Sequence, residues 1–243
     1  MIRKIEGIVV REQNYSETSK IIDILTEEGI VSILAKGARS MKSDLRSVTS
    51  KLVYGEFNLY YKKEKLSTLI SVDVLDSFKN TKKDITKISY ASFLLDLSSQ
   101  VMKQSDDLLV FEFLIQGIKK IDEGYDPVVI SNIVELKYLD LLGVMPILDE
   151  CSICGSKKGI ETLSHDAGGY VCSECFTDEK RVSSKTIKLI RMFYYVDISK
   201  ITTLEVSDLV KNEINQFLDS YYDKYTGLFL KSKSFLKNLS KLK

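Results

Sequence analysis

The chain predicts an α+β fold: a small five-stranded β-barrel, an α-helical domain after it, and a four-cysteine module inserted between helices. Three observations carry this. Five short runs before residue 77 are strand-like, with apolar residues alternating at period two. From about residue 84 the apolar spacing becomes that of helices. All four cysteines fall within residues 151–175.

The runs KIEGIVVRE, SKIIDILTE, GIVSILAKG, YGEFNLYYK and LSTLISVDVL read as strands. In the fourth, Phe57, Leu59 and Tyr61 share one face, and Glu56, Asn58 and Tyr60 the other. In the fifth, Thr68, Ile70, Val72 and Val74 oppose Leu69, Ser71 and Asp73. Such alternation marks a sheet with one wet face. Glu27-Glu28-Gly29 and Lys62-Lys63-Glu64-Lys65 read as hairpin turns, and a longer link joins strands three and four. Five strands with one long link suit a Greek-key barrel of the OB type; a five-stranded SH3-like barrel is the competing arrangement.

Helical stripes follow. Ile88, Ala91, Leu95 and Met102 form one, and Leu108, Phe111, Leu114, Ile118 and Ile121 another behind a Ser105 cap. A third runs from Pro127 to Gly143, with Pro146 as a stop. KTIKLIRMFYYV and the Ser207-capped SDLVKNEINQFLDSYYDKY close the set.

The cysteines pair as Cys151-x-x-Cys154 and Cys172-x-x-Cys175. The N-terminal stretch lacks the uninterrupted apolar core of a signal peptide, and no eighteen-residue apolar run occurs. A reducing, cytoplasmic setting follows, in which two C-x-x-C turns read as thiolate ligands to one structural zinc ion. Four thiolates close the coordination sphere, so this zinc holds structure and leaves no open position for catalysis. Gly155 suits the turn after the first pair, and Gly168-Gly169 the bend before the second. His165, the only histidine, reads as a solvated loop residue, and a histidine-dependent hydrolase is implausible.

Net charge is only +1, but its distribution is uneven. Residues 84–150 carry 5 basic against 12 acidic side chains, whereas residues 224–243 hold six lysines and no acid. The link after the third strand carries Lys36, Arg39, Lys42, Arg46 and Lys51 against Asp44 alone and reads as a mobile basic loop. A cationic barrel with exposed aromatic faces is the equipment of single-strand binding, and Tyr15, Tyr54, Phe57, Tyr60 and Tyr61 are the candidate faces.

G-I-V-V-R followed by N-Y-S-E-T-S-K, A-K-G-A-R with a downstream Lys-Ser, Y-G-E-F, the two C-x-x-C pairs and the terminal L-K-S-K-S-F-L together resemble the RecO family of bacterial recombination mediators, in its zinc-bearing branch. The resemblance implies an OB fold at residues 1–80, a helical domain at 81–150 and 181–243, and a zinc module at 151–180. It implies a non-enzymatic protein of DNA repair and recombination, cytoplasmic and nucleoid-associated. Such a protein binds single- and double-stranded DNA, anneals complementary strands and helps RecR load the RecA recombinase on DNA coated with the single-strand-binding protein SSB. It takes no small-molecule substrate and does not enter membranes. Carried over by position, the DNA-binding residues are Lys36, Arg39, Lys42 and Arg46, and the metal ligands Cys151, Cys154, Cys172 and Cys175. Lys231 and Lys233, read as facing outward from a tail anchored by its apolar side, are candidate contacts for the acidic SSB tail or for phosphates. A zinc-containing RNA-binding protein and a protein-scaffolding OB fold share many of these features.

Overall fold

The computed structural model describes residues 1–62, 65–230, 232–233 and 236. Five strands come first: β1 (Ile2–Tyr15), β2 (Ser19–Thr26), β3 (Gly29–Ala35), β4 (Tyr54–Tyr60) and β5 (Ser67–Asp76). They close into a barrel in the order β1-β2-β3-β5-β4. β1 pairs antiparallel with both β2 and β4, and a short parallel pairing of Ile33 and Leu34 with Ser67 and Thr68 joins β3 to β5. This order decides between the two small barrels in favour of the OB type.

The strand interiors follow the alternation except where bulges reset it. Phe57 and Leu59 are fully buried, as expected. On β5 it is Leu69, not Ile70, that enters the core. The register against β4 shifts between Asn58 and Leu59 and again between Tyr54 and Gly55, so that Ile70 and Leu75 are extra residues, left 37% and 52% exposed. Each bulge inserts one residue into one strand and resets which face follows.

A further bulge falls in β1 between Val9 and Arg11. Val9 packs inside the barrel with Ile22, Ile24, Ile33 and Phe57. Ile8 and Val10 face the other way, into a second apolar cluster shared with the helices. The barrel thus contributes one outer patch to the helical core.

The link after β3 contains a short helix, α1 (Leu45–Val48), and β5 is followed by another, α2 (Lys79–Lys82). The longer helices are α3 (Ile85–Val101), α4 (Leu109–Glu123), α5 (Pro127–Leu141), α6 (Ser184–Tyr195) and α7 (Asp208–Tyr225). Side-chain caps start three of them: Asp84 accepts amide bonds from Thr86 and Lys87, Asp126 from Val128, and Ser183 from Thr186. The expected cap at Ser105 is displaced. Asp107 instead accepts from the Leu109 amide where α4 begins.

α3 and α5 are buried on more than a stripe. Phe93, Leu94, Leu95 and Leu97 are at most 1% exposed, and α5 buries Ile130, Ile133, Val134, Leu136 and Leu139 completely. A helix that is apolar nearly all round is a central helix with neighbours on several sides. The Tyr138 hydroxyl ties this centre together, 2.6 Å from Ser98 Oγ on α3 and donating to the Val110 carbonyl of α4.

Between α5 and α6 lies a three-stranded sheet of order β6-β8-β7, from β6 (Ile147–Cys151), β7 (Ile160–Ser164) and β8 (Gly169–Cys172). Among the described residues, no helix is long and apolar enough to cross a membrane.

Candidate metal centre and nucleic-acid interface

The three-stranded sheet brings the two C-x-x-C turns together. Cys151 ends β6 and Cys172 ends β8, neighbouring strands in parallel pairing. At the first turn, the Gly155 amide donates to the Cys151 carbonyl and Gly155 adopts φ 74°. At the second, Cys175 and Phe176 donate to the Cys172 carbonyl. Gly169 permits the close approach of β8 to β6, for a Cβ there would lie 2.2 Å from the Ile147 carbonyl oxygen.

The result is four Sγ atoms within 4.8 Å of one another, with Cys154 and Cys172 3.6 Å apart. Cys151 and Cys172 are buried, Cys175 is half-buried and Cys154 faces solvent. The thiols of the cluster are held unequally. Burial works to raise the Cys151 thiol, but the Cys154, Cys172 and Ile153 amides directed at it prevail and bring it to about 6. Cys175, hydrogen-bonded to Cys154 and facing the other sulfurs, is pushed up to about 12. Protons keep the charge of the crowded sulfurs low, as the raised Cys175 thiol shows, and a metal ion would displace them and take their place in compensating the thiolates. The donor set fits a single four-coordinate ion. His165 stands apart from the sulfurs and lies 3.5 Å from Asp166.

The basic loop is more ordered than its composition suggests. Ala38 is fully buried, the Arg39 amide donates to the Thr18 carbonyl, and the Arg39 guanidinium donates to the Ser16 carbonyl. Thr49, also buried, donates to the Leu45 carbonyl across α1. Amide bonds from Val9 to the Val53 carbonyl and from Leu52 to the Val9 carbonyl fasten its return to β1. The loop is therefore a packed ledge, not a free arm. Lys36, Arg39, Lys42 and Arg46 are all exposed on it, and among the described residues none forms an ion pair. Arg46 instead contacts Met41 Sδ.

The aromatic candidates divide. Phe57 is core, and Tyr54 packs against Phe78 and Phe111 with its hydroxyl on Glu6. Tyr61 is half-buried under Arg3. Tyr15 and Tyr60 remain exposed at 50% and 55%, at opposite ends of β1. Only Tyr15 adjoins the basic loop, through the Ser16 turn that Arg39 holds. That division lay beyond sequence patterning, because Tyr54 is buried against helices from a distant part of the chain.

Lys231 lies outside the described residues. Lys233 points inward: its ammonium sits on Glu135 and 2.9 Å from Asp219, which corrects the expectation that this lysine faces outward. Two carboxylates at that spot attract the lysine more strongly than water does at a tail surface.

Comparison with known proteins agrees with this architecture. The family description Recombination protein O N terminal matches residues 1–78, and Recombination protein O C terminal matches residues 82–234. The chain belongs to the RecO family. It is 36% identical to the DNA repair protein RecO of Bacillus subtilis over 248 aligned residues, which cover 100% of this chain and 97% of that protein. Identity to the RecO of Bacillus velezensis is likewise 36%, over 100% and 97% of the two chains. The Listeria monocytogenes RecO is 32% identical over 99% of this chain and 96% of its own. As a RecO-family DNA repair protein, the chain carries its cysteine cluster between the fifth and sixth helices.

Proposed function

We propose that this RecO-family chain is a non-enzymatic recombination mediator. It binds single- and double-stranded DNA through the barrel, anneals complementary strands, and works with RecR to load RecA on DNA coated with the single-strand-binding protein. The observation that carries the DNA-binding step is the ledge of unpaired cations. Lys36, Arg39, Lys42 and Arg46 stand exposed on one loop, with Tyr15 beside it as a stacking face. Phosphate neutralisation by such cations is independent of sequence, as an annealing protein requires.

The ion held by the four cysteines is zinc in this reading, serving structure alone. A tetrahedron with zinc–sulfur bonds of about 2.3 Å has sulfur–sulfur edges of about 3.8 Å, and the observed cluster, with all sulfurs within 4.8 Å, has this size. The protein acts in the cytoplasm, on nucleoid DNA. Lys233, matched internally by Glu135 and Asp219, is not free to receive the SSB tail. Lys231 keeps that role as a proposal.

A strand-annealing assay with complementary oligonucleotides, bare and coated with the single-strand-binding protein, tests the reading. Accelerated annealing on both substrates is expected. Binding to RNA in preference to DNA of the same sequence would support the RNA-binding alternative, and absence of any nucleic-acid binding at low salt the scaffold.

A further inference from the structure

Where the barrel meets α3, a groove of about 640 Å³ runs between the outer face of β1–β3 and the C-terminal half of the helix. Its floor is apolar, from Val10, Ile30 and Met102. Serine hydroxyls line the sides at Ser32, Ser92 and Ser99. Three cations, Arg11, Lys51 and Lys103, stand on its walls. They come from β1, the end of the basic loop and the turn after α3, so no sequence window contains them together.

The charges in the groove are not balanced internally. Asp23 accepts from Ser32 and lies 3.9 Å from Arg11, and Asp96 accepts from Gln100 and Ser232. Lys51 and Lys103 are exposed, and among the described residues neither meets a carboxylate. The groove continues past Lys103 and Gln100 into a second hollow of about 500 Å³. Its far wall includes Phe229, 75% exposed, whose carbonyl accepts from Gln100. Lysines that meet no carboxylate among the described residues, hydroxyls, an apolar floor and an open aromatic ring in one channel are the features that a phosphodiester chain with exposed bases matches.

We propose that a single nucleic-acid strand leaving the barrel's basic loop enters this groove. Lys51, Lys103 and Arg11 hold its phosphates, and Phe229 offers a stacking face at the exit. Lys51 connects the two regions, since it belongs to the loop and also lines the groove. The inference rests on the reading of the barrel as a nucleic-acid-binding module and extends the path onto α3. An acidic peptide would find the same cations, but only a strand already held by phosphate contacts on the basic loop is led into the groove by the continuity that Lys51 provides. The strand is therefore the occupant the groove favours.

The test uses the full chain and fluorescent oligothymidylates of increasing length, with affinity measured over a series of salt concentrations. Three variants are compared with wild type: Lys51→Ala/Lys103→Ala, Phe229→Ala and Lys36→Ala/Lys42→Ala. Each single-strand phosphate contact contributes roughly 0.7 to the slope of log affinity against log salt, so the groove double variant should lose roughly 1.4. It should also cease to gain affinity from the longer oligomers, with an unchanged melting curve, because both lysines are surface residues. Phe229→Ala should weaken the longer oligomers only. An unchanged slope in the groove variant, with a reduced slope in the loop variant, would overturn the groove and leave the barrel reading intact. No binding by the wild type would overturn both. A labelled acidic peptide that binds wild type but not the groove variant, while oligonucleotide affinity stays equal, would make the groove a peptide site and reject the strand.

Discussion

Lys233 and Glu135 meet inside the helical part of the molecule, the lysine ammonium resting on a carboxylate whose side chain is only 4% exposed. Asp219 closes in from α7 at 2.9 Å, and the rings of Tyr222 and Phe93 lie 5.1 and 5.6 Å from the ammonium. A residue near the C-terminus thereby joins α5 to α7. Its ion pair is shielded from water, unlike the surface pairs of the barrel such as Arg3 with Glu28.

Removing one member of a buried pair strands the other, at about 3–5 kcal/mol. Lys233→Ala should lower stability by that order, read as a shift in the denaturant midpoint. Lys233→Met combined with Glu135→Gln should recover much of it. Burial acts to lower the Lys233 pKa, but Glu135 and Asp219 prevail and raise it above its ordinary 10.5. A raised folded-state value means that the stabilisation is fully present below 10.5 and is lost as pH climbs through the higher value. Wild type and Lys233→Ala should therefore converge in stability only under strongly alkaline conditions.

Tyr138 supplies a second test of the helical centre. Its hydroxyl joins Ser98 and the Val110 carbonyl in a fully buried setting. Tyr138→Phe leaves both behind, yet Ser98 Oγ keeps its bond to the Leu94 carbonyl. The expected loss is thus at the low end for a buried hydrogen-bond deletion, about 1–2 kcal/mol, with DNA binding unchanged. A loss above about 4 kcal/mol in chemical denaturation would show that the hydroxyl organises more than these two contacts.

What the sequence could convey depended on how local the cause was. The barrel strands were readable because one face of each is wet, and the cysteine cluster because a C-x-x-C turn sets its own geometry. β5 misled because the bulges at Ile70 and Leu75 are made by its pairing with β4, and alternation along one strand cannot reveal them. The stripes assigned to α3 and α5 were too narrow, since helices packed on several sides lose the contrast between faces. The inward turn of Lys233 was hidden for the plainest reason: Glu135 lies 98 residues away.

The basic ledge leads to a prediction about salt. Lys36→Ala/Lys42→Ala should flatten the dependence of log affinity on log salt by roughly 1.4–1.8, equally on unrelated sequences. Arg39 is best examined separately, because it also holds the Ser16 turn, where the backbone adopts φ 56°. Arg39→Ala should reduce binding and also loosen the β1–β2 connection, visible as faster amide exchange at residues 15–19. Equal slopes in the double variant and wild type would reduce the ledge to a solvated link.

The metal centre makes a prediction with a spatial limit. One zinc ion per chain is expected, and structural zinc in small peptides carries roughly 10–16 kcal/mol of apparent binding energy, much of it spent on folding. Cys172→Ser should release the ion, detected by a chromogenic chelator, and open residues 151–180 to amide exchange. The damage should not stop at the module. Tyr170 donates to the Ile187 carbonyl of α6, and Leu163 and Tyr170 belong to the apolar cluster of the helices. Thr162 further holds the Lys180 carbonyl just before α6. Exchange should therefore quicken in α6 as well, while the barrel interior around Ile22, Ile33 and Phe57, a separate cluster, keeps its protection. Gly169→Ala offers a route to the same state without touching a ligand, because its methyl would strike the Ile147 backbone and force β8 away from β6. It should lower the bound zinc per chain and reproduce the exchange pattern of Cys172→Ser. If the barrel loses protection together with the module in either variant, the two are one cooperative unit, and the zinc ion stabilises the whole chain.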